Sequence, residues 1–274
     1  MPVDGYVHLP AGEGGPLPLV IASIGSMGLA SGREELYAHA FAAAGIATLV
    51  VDSFGSRGFA ETFSDQGRIS LATSCADALH ALQFAAADPR IDRGRISLFG
   101  YSRGGCAVVM SDDERLQAAV LGPALRFASY VALYPSVWLG WARPHPAPGP
   151  ILFVLGGADT MAPLALTRRR AEQLAASGAA VETLVLPEAH HSFDAVAPAT
   201  FKPAETNMSD CAVEVDDDGA MREPASGVVF DGDWPAFVRR LRDARGKLGG
   251  TTGHGPLPRA VAVAPVIDFL RRRR

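Results

Sequence analysis

Short apolar segments alternate with helical patterns along most of this 274-residue chain. Residues 18–23 (PLVIAS) and 46–51 (IATLVV) are nearly continuous apolar runs rich in branched side chains, which is typical of strands covered on both faces. Residues 33–44 between them are rich in alanine and are followed by Gly45, as in a helix with a glycine cap. The pattern predicts a β-α-β unit.

The same alternation continues downstream. Further strands are predicted at residues 95–99, 127–133, 151–155 and 181–186, and further helices at residues 69–87, from about residue 103, and at residues 164–176. This spacing predicts an α/β fold with a mainly parallel central sheet and helices on both faces. Residues 6–9 and 17–22 flank a Gly/Pro-rich turn, so we also predict an antiparallel hairpin at the N-terminal edge.

The regular pattern weakens after Phe193. Residues 195–230 contain prolines and little periodicity, which predicts an irregular surface excursion and a candidate lid. Residues 234–272 are predicted to form closing helices, at 234–248 and 259–270. Because the chain is 48% hydrophobic and of ordinary domain length, we expect residues 1–274 to form a single domain.

Charge and cysteine content exclude several classes of protein. The net charge of -4 indicates no general attraction to nucleic acid or to anionic membranes. Three scattered cysteines form no disulfide framework, and residues 1–15 lack the basic start and apolar run of a signal peptide. We therefore expect a cytoplasmic protein without a nucleic-acid or membrane partner, whose oligomeric state the sequence leaves open.

The segment Gly100-Tyr101-Ser102-Arg103-Gly104 has the spacing of a nucleophile elbow. It follows a predicted strand and begins a predicted helix, which is the context that this motif requires. The glycines allow the close backbone approach of a sharp turn. Ser102 is therefore the predicted nucleophile.

A serine hydroxyl needs a base and an orienting carboxylate. Asp159 follows the strand at 151–155, and His190 and His191 follow the next strand, so the chain order is Ser, Asp, His, as this motif expects. Position alone does not separate the two histidines. Asp194 is too close in sequence to His191 and Asp210 lies in the poorly patterned segment, so Asp159 is the predicted carboxylate.

Several further residues are candidates for binding substrate. The backbone N–H groups of Arg103 and Ser26 are predicted to form an oxyanion hole, with Met27 as the fallback for Ser26. The predicted substrate contacts are Arg57, Met27, Trp138 and Trp141. The side chains of Arg57 and Arg103 are candidates for anchoring a carboxylate, with structural pairing as the competing interpretation. The tryptophans are candidates for lining a pocket, with core packing as the competing interpretation.

No metal or cofactor is expected. Adjacent side chains such as His190 and His191 diverge, and no third zinc ligand is placed near them. Residues 216–219 (DDDG) lack the alternating ligands and distal glutamate of a calcium loop.

Four segments resemble the dienelactone hydrolase family of the α/β-hydrolases. They are VVDSFGSRGF (50–59), LFGYSRGG (98–105), LGGADTMAP (155–163) and PEAHHSFD (187–194). The resemblance extends over roughly residues 18–270 and implies the α/β-hydrolase fold. The last segment resembles the family's Ala-x-His-x-Phe motif, which favours His191 over His190. Founding members of the family have a cysteine nucleophile where this chain has Ser102, so the resemblance does not imply that it opens a dienelactone.

The leading hypothesis is a serine hydrolase that cleaves a small or medium ester, lactone or thioester through an acyl-enzyme on Ser102. A second hypothesis is a non-hydrolytic acyl-transfer or cyclisation enzyme on the same fold. A third is a catalytically silent ligand-binding module.

Overall fold

A computed structural model describes residues 2–12 and 14–272 of the chain. The strands are β1 (Asp4–His8), β2 (Leu17–Ser23), β3 (Ala47–Asp52), β4 (Ile91–Tyr101), β5 (Tyr130–Leu133), β6 (Leu139–Trp141), β7 (Ile151–Gly156), β8 (Val181–Leu186), β9 (Thr200–Asn207), β10 (Val213–Val215), β11 (Met221–Glu223), β12 (Val228–Val229) and β13 (Lys247–Thr252). The α-helices are α1 (Arg33–Ala43), α2 (Leu71–Ala86), α3 (Arg103–Ser111), α4 (Glu114–Leu121), α5 (Leu164–Ala176), α6 (Trp234–Arg245) and α7 (Val263–Arg271). Residues 1, 13, 273 and 274 lie outside the described part.

Seven strands form the main sheet, in the order β1-β3-β2-β4-β5-β7-β8. Every neighbouring pair is parallel except β1 with β3. Parallel neighbours need crossover connections, and these contain helices except for the one from β5 to β7, which contains β6. The predicted mainly parallel sheet with an antiparallel N-terminal edge is confirmed.

The predicted hairpin at this edge is wrong in its pairing. β1 lies against β3, with Tyr6 opposite Val50, and not against β2. Both edges of β2 are occupied, because Leu19 pairs in parallel with Ala47 of β3 and Ile96 of β4. The Gly/Pro-rich turn therefore connects two strands that are not neighbours.

Helices cover both faces of the sheet, as predicted. Alternate residues of a strand point to opposite faces. Leu19 and Ile21 of β2 pack in the core with α2, α3 and α5, whereas Val20 and Ala22 pack with α1 and α7. Burial of each leucine, isoleucine or valine side chain stabilises the fold by about 1.5–3 kcal/mol.

The prediction of an irregular excursion over residues 195–230 is wrong, because this segment contains four strands. β9 pairs with β13, and β10 lies between β11 and β6 in a second, four-stranded sheet. The partner strands β6 and β13 are distant in sequence, so no local pattern predicts that they pair with β10 and β9. The predicted helix at 234–248 ends at Arg245, and the Gly-containing segment after it continues as β13.

A third hydrophobic cluster joins the C-terminal elements to α2 and α3. Trp138, Met208, Trp234 and Phe237 are buried there, with the two indole rings stacked 6.0 Å apart. All three cysteines of the chain are buried in this cluster and are free. Burial raises the pKa of Cys75 to about 11, which keeps that thiol protonated.

No helix in the described part of the chain is both long and apolar enough to cross a bilayer.

Candidate active site

Ser102 lies in a strained turn between β4 and α3. Its backbone has φ 54° and ψ -117°, a region that L-residues rarely adopt. Its amide donates to the Leu133 carbonyl (3.0 Å), and its own carbonyl accepts from the Cys106 amide (3.0 Å). A side chain at Gly104 would place Cβ 2.0 Å from the Ser23 carbonyl oxygen, so the turn requires glycine there.

The structure brings together the three predicted catalytic side chains. Ser102 Oγ is 2.8 Å from His191 Nε2, and His191 Nδ1 is 2.8 Å from Asp159 Oδ2. Ser102, Asp159 and His191 follow β4, β7 and β8, whose carboxyl ends lie at one edge of the parallel sheet. The histidine and the aspartate are each 6% exposed.

Asp159 is fully engaged by hydrogen bonds. Its Oδ1 accepts from the amides of Met161 (2.8 Å) and Ala162 (2.7 Å), while Oδ2 faces the His191 ring. This network assigns the proton on His191 to Nδ1, which leaves Nε2 as the acceptor for a serine hydroxyl proton. The arrangement suits a base that activates Ser102.

Asp194, a competing candidate for the orienting carboxylate, is occupied by a different cluster. It accepts hydrogen bonds from Arg33 Nε (2.9 Å), Tyr37 OH (3.0 Å) and Tyr134 OH (2.5 Å). Burial raises the pKa of both tyrosines well above the ordinary value, so the hydroxyls remain donors. The Tyr134 ring packs edge-on against the His191 ring, with the two centroids 5.0 Å apart. Through this contact the Asp194 cluster helps to hold the histidine in place.

His190 and Asp210 are engaged with groups other than Ser102. His190 Nδ1 is 3.1 Å from the Ala158 carbonyl oxygen. Asp210 forms an exposed ion pair with Lys247 at 2.9 Å. Of the two adjacent histidines, His191 is the one that reaches the serine.

A cavity of about 660 Å³ opens beside Ser102. This volume is in the range of small-molecule sites. Of the predicted residues, Ser26, Met27, Arg103 and Trp138 line it with Ser102 and His191. The other lining residues include Phe63, Gln66, Met161, Val196, Lys202, Glu205 and Met208.

Gln66, which the sequence analysis did not identify, links the two predicted oxyanion-hole residues. Its Nε2 donates to Ser26 Oγ, and its Oε1 accepts from Arg103 Nη1, both at 2.8 Å. Arg103 Nη2 also donates to the Ile69 carbonyl at 2.5 Å. Burial lowers the pKa of Arg103 to about 10, and these contacts turn its guanidinium towards the protein rather than towards a substrate carboxylate. A glutamine in a loop carries no sequence signal for this role.

Two predicted substrate contacts are wrong. Arg57 forms a two-pronged ion pair with Asp77, with both N···O distances at 2.8 Å, and does not line the cavity. Trp141 donates its indole N–H to the Met110 carbonyl (3.1 Å) and lies under the Arg115 guanidinium, also outside the cavity. In both cases an internal partner takes up the hydrogen bonds of the polar group, namely the guanidinium of Arg57 and the indole N–H of Trp141.

Glu205 is a second carboxylate at the site that the sequence analysis missed. It lies on β9, lines the cavity and is 8% exposed. Burial raises the pKa of its carboxyl group, and the nearby charges of His191 and Lys202 oppose that rise. No signal marked it, because it belongs to the segment without periodicity.

Among residues 2–12 and 14–272, no group of three or more His, Cys, Asp or Glu side chains is arranged to hold a metal ion.

The N-terminal half of the chain matches a known esterase family model. The model is described as "Esterase FrsA-like" and matches residues 1–128. Two curated Escherichia coli relatives, each described as an "Uncharacterized 31.7 kDa protein in traX-finO intergenic region", are 33% identical over 105 residues. The match covers 38% of this chain. The chain therefore aligns with only 36% of the length of those relatives.

Solved structures similar to this chain include enzymes acting on esters. A candidate dienelactone hydrolase from Klebsiella pneumoniae is 23% identical, with a TM-score of 0.56 over 70% of this chain and 82% of that one. The esterase Est2 from Thermogutta terrifontis is 19% identical, with a TM-score of 0.55 over 71% and 82%. Est1E from Butyrivibrio proteoclasticus is 15% identical, with a TM-score of 0.52 over 69% and 86%. The predicted fold and the predicted resemblance are therefore confirmed: this chain has the α/β-hydrolase fold that is found in esterases and dienelactone hydrolases.

Proposed function

We propose that the protein is a serine hydrolase that cleaves an ester, lactone or thioester of small or medium size. The observation that carries the proposal is the hydrogen-bonded chain from Ser102 through His191 to Asp159, with both links at 2.8 Å. A buried carboxylate, an imidazole and a strained serine at the rim of a cavity form the arrangement that acyl transfer needs.

In the proposed reaction, His191 Nε2 removes the proton from Ser102 Oγ as that oxygen attacks the substrate carbonyl carbon. Asp159 stabilises the imidazolium that forms. When the tetrahedral intermediate collapses, His191 gives the proton to the leaving oxygen or sulfur and an acyl-enzyme remains on Ser102. Water, deprotonated by the same histidine, then attacks the acyl group, and His191 returns that proton to Ser102 Oγ as the acid is released.

The developing oxyanion needs N–H donors. We assign this role to the backbone amides of Arg103, at the start of α3, and Ser26, with Met27 as the fallback. The side-chain bridge through Gln66 supports this assignment, because it ties Ser26 to Arg103 in the wall of the cavity that Ser102 also lines. The fixed spacing spares the enzyme from reorganising these donors during the reaction.

The proposal also covers how the substrate is enclosed. Residues 195–198 and part of β9 line the cavity, so we assign to this region the covering role of a lid. Trp138 and Met27 are the substrate contacts that the proposal retains. A cytoplasmic location, a single domain over residues 1–274, and the absence of nucleic-acid and membrane partners stay predictions.

The test combines covalent labelling with a substrate panel. A fluorophosphonate probe is expected to add its mass to Ser102, and Ser102→Ala is expected to abolish turnover of whichever esters, lactones or thioesters the wild type hydrolyses. Circular dichroism verifies that both proteins are folded. A folded wild-type protein that is neither labelled at Ser102 nor active on any of the three substrate classes contradicts the proposal.

A further inference from the structure

Glu205 has a carboxylate oxygen with no partner. Its Oε2 is buried and has no hydrogen bond to any residue that the structure describes. Buried carboxylates in proteins are ordinarily paired, because an unpaired one loses its hydration without compensation. Asp159 at the same site shows the ordinary case, with both oxygens hydrogen-bonded. An unsatisfied acceptor in the wall of a cavity points to a donor that arrives with the ligand.

An irregularity in β9 places this side chain at the cavity. Thr206 pairs with Leu248 of β13, and Lys202 pairs with Gly250, so three residues of β9 face one residue of β13. In a regular strand, residues three apart point to opposite faces, yet Lys202 and Glu205 both line the cavity. Bulges are common beside active sites, where they redirect a side chain. The strand is thus deformed so that Glu205 reaches the site.

The charges around the cavity select the kind of donor. Glu205 is the single acidic residue among the described residues that line it, whereas Arg33, Arg103 and Lys202 are basic. Arg33 is paired with Asp194, and the Arg103 guanidinium donates to Gln66 and to a backbone carbonyl. A cationic substrate would meet this excess of positive charge. A neutral hydroxyl group satisfies the carboxylate without that repulsion.

We propose that Glu205 accepts a hydrogen bond from a hydroxyl group of the substrate, and that the protein therefore acts on hydroxylated esters. This inference rests on the proposed function, because it describes the substrate of the same serine. The apolar wall, which includes Phe63, Trp138 and Met208, suits the hydrocarbon part of such an ester.

Matched substrate pairs that differ only in hydroxyl groups test the inference. Propyl butyrate is compared with 2,3-dihydroxypropyl butyrate and its 2,3-dimethoxy counterpart, which places the hydroxyls in the alcohol part. Methyl butyrate is compared with methyl 3-hydroxybutyrate, which places one in the acyl part. The wild type is expected to prefer the hydroxylated member of at least one pair by about tenfold in kcat/KM, as a hydrogen bond to a charged acceptor provides.

Variants at position 205 then assign the preference to Glu205. Glu205→Leu is expected to abolish it, so that kcat/KM for the hydroxylated ester falls to within about twofold of the variant's own value for the plain ester, since the hydroxyl contact is lost. Glu205→Gln is expected to retain part of it, because the amide oxygen still accepts. Glu172→Leu, an exposed change on α5, is the control and should leave the preference intact.

The outcomes separate this inference from the proposed function. If Ser102 is labelled and plain esters are hydrolysed, but the wild type shows no preference or Glu205→Leu keeps it, the hydroxyl contact alone is wrong. An equal loss on all substrates in Glu205→Leu overturns it too, because Glu205 would then act on His191 and not on the substrate. If Ser102 is neither labelled nor needed, both fall together. The rate of fluorophosphonate labelling verifies that each variant is folded at the site.

Discussion

The two walls of the cavity are built in different ways. One wall is the carboxyl edge of the main sheet, with Ser102, Asp159 and His191; the other is the ribbon of β9 and β13, with Glu205. At the sheet edge Ser102, His191 and Asp159 each have a hydrogen-bond partner at 2.8 Å, whereas Oε2 of Glu205 on the ribbon has none among the described residues. The difference separates two tasks, because bond cleavage needs fixed geometry and substrate recognition needs groups that only the substrate satisfies.

Backbone strain follows the same division. The non-glycine residues with positive φ in the described chain are Ser102, Tyr134 and Ser192, and all lie at the sheet edge. Such conformations persist where surrounding contacts hold them. On the ribbon, positive φ occurs at Gly249, where a glycine adopts it without strain.

The two walls nevertheless meet at the histidine. The Gly253 amide donates to the His191 carbonyl at 2.8 Å, and Thr252 forms an isolated parallel bridge with His191. The end of the ribbon therefore helps to hold the loop that carries the base.

The largest expected effect lies at the sheet edge. His191→Ala removes the base, and kcat should fall on the order of 10⁵- to 10⁶-fold, as in other serine hydrolases that lose their histidine. Steady-state kinetics on the best ester of the panel measures it, with circular dichroism as the control for folding. Activity within tenfold of the wild type would show that the sheet edge is not where the reaction occurs.

The orienting carboxylate should matter somewhat less. Asp159→Asn keeps the size of the side chain but not its charge, so it favours the wrong tautomer of His191. We expect kcat to fall about 10⁴-fold, with little change in KM. A rise in KM with kcat unchanged would mean that Asp159 contacts substrate instead.

The nearby Asp194 should affect stability and not chemistry. Asp194→Asn breaks the buried ion pair with Arg33, which is expected to lower the free energy of unfolding by about 3–5 kcal/mol. Urea unfolding measures the loss. In the protein that remains folded at low temperature, kcat should stay within about tenfold of the wild type. A larger decrease in kcat, without loss of stability, would make Asp194 part of the reaction.

A smaller effect is expected from the bridge between the oxyanion-hole residues. Gln66→Leu breaks the hydrogen bonds to Ser26 and Arg103, and kcat should fall about tenfold while KM changes little, since the donors are needed most in the transition state. Gln66→Glu keeps the acceptor for Arg103 and should recover part of the rate. If the fall in kcat is accompanied by a matching loss in the free energy of unfolding, Gln66 has only a structural role.

The smallest effect is expected on the ribbon itself. Gly249 has φ +87°, and an added Cβ would lie 2.5 Å from Phe201 Cζ, at the far end of an exposed side chain that is able to move. Gly249→Ala should therefore lower the free energy of unfolding by only about 1–2 kcal/mol, for the strained backbone. The rate of fluorophosphonate labelling at Ser102 should not change. A tenfold slower labelling would show that the ribbon also controls the reaction geometry.

The sequence predicted the sheet-edge wall well and the ribbon poorly, and the reason is the distance along the chain between partners. The elbow at Ser102 and the strands before Asp159 and His191 are marked by local residue patterns, and the carboxyl ends of parallel strands meet by necessity. The pairing of β9 with β13 joins residues 40 to 52 positions apart without a regular alternation. For the same reason the local pattern predicted the wrong neighbour for β1.

Individual side chains divide in a similar way. Arg57 and Trp141 have the residue types of substrate contacts, but Asp77 and the Met110 carbonyl occupy them. Gln66 and Glu205 have no distinctive local context, and they reach the cavity only through the loop and the bulge that carry them.

The amino-acid sequence by itself determined the alternation of strands and helices, the strained turn at Ser102 and the chain order of serine, aspartate and histidine, because each depends on neighbours a few residues away. Only the tertiary structure decided which strand lies beside β1, which arginine is already paired, and that Glu205 is buried at the cavity with Oε2 unpartnered among the described residues. These outcomes depend on which distant groups compete for the same hydrogen bonds, and that competition is resolved only when the chain is packed.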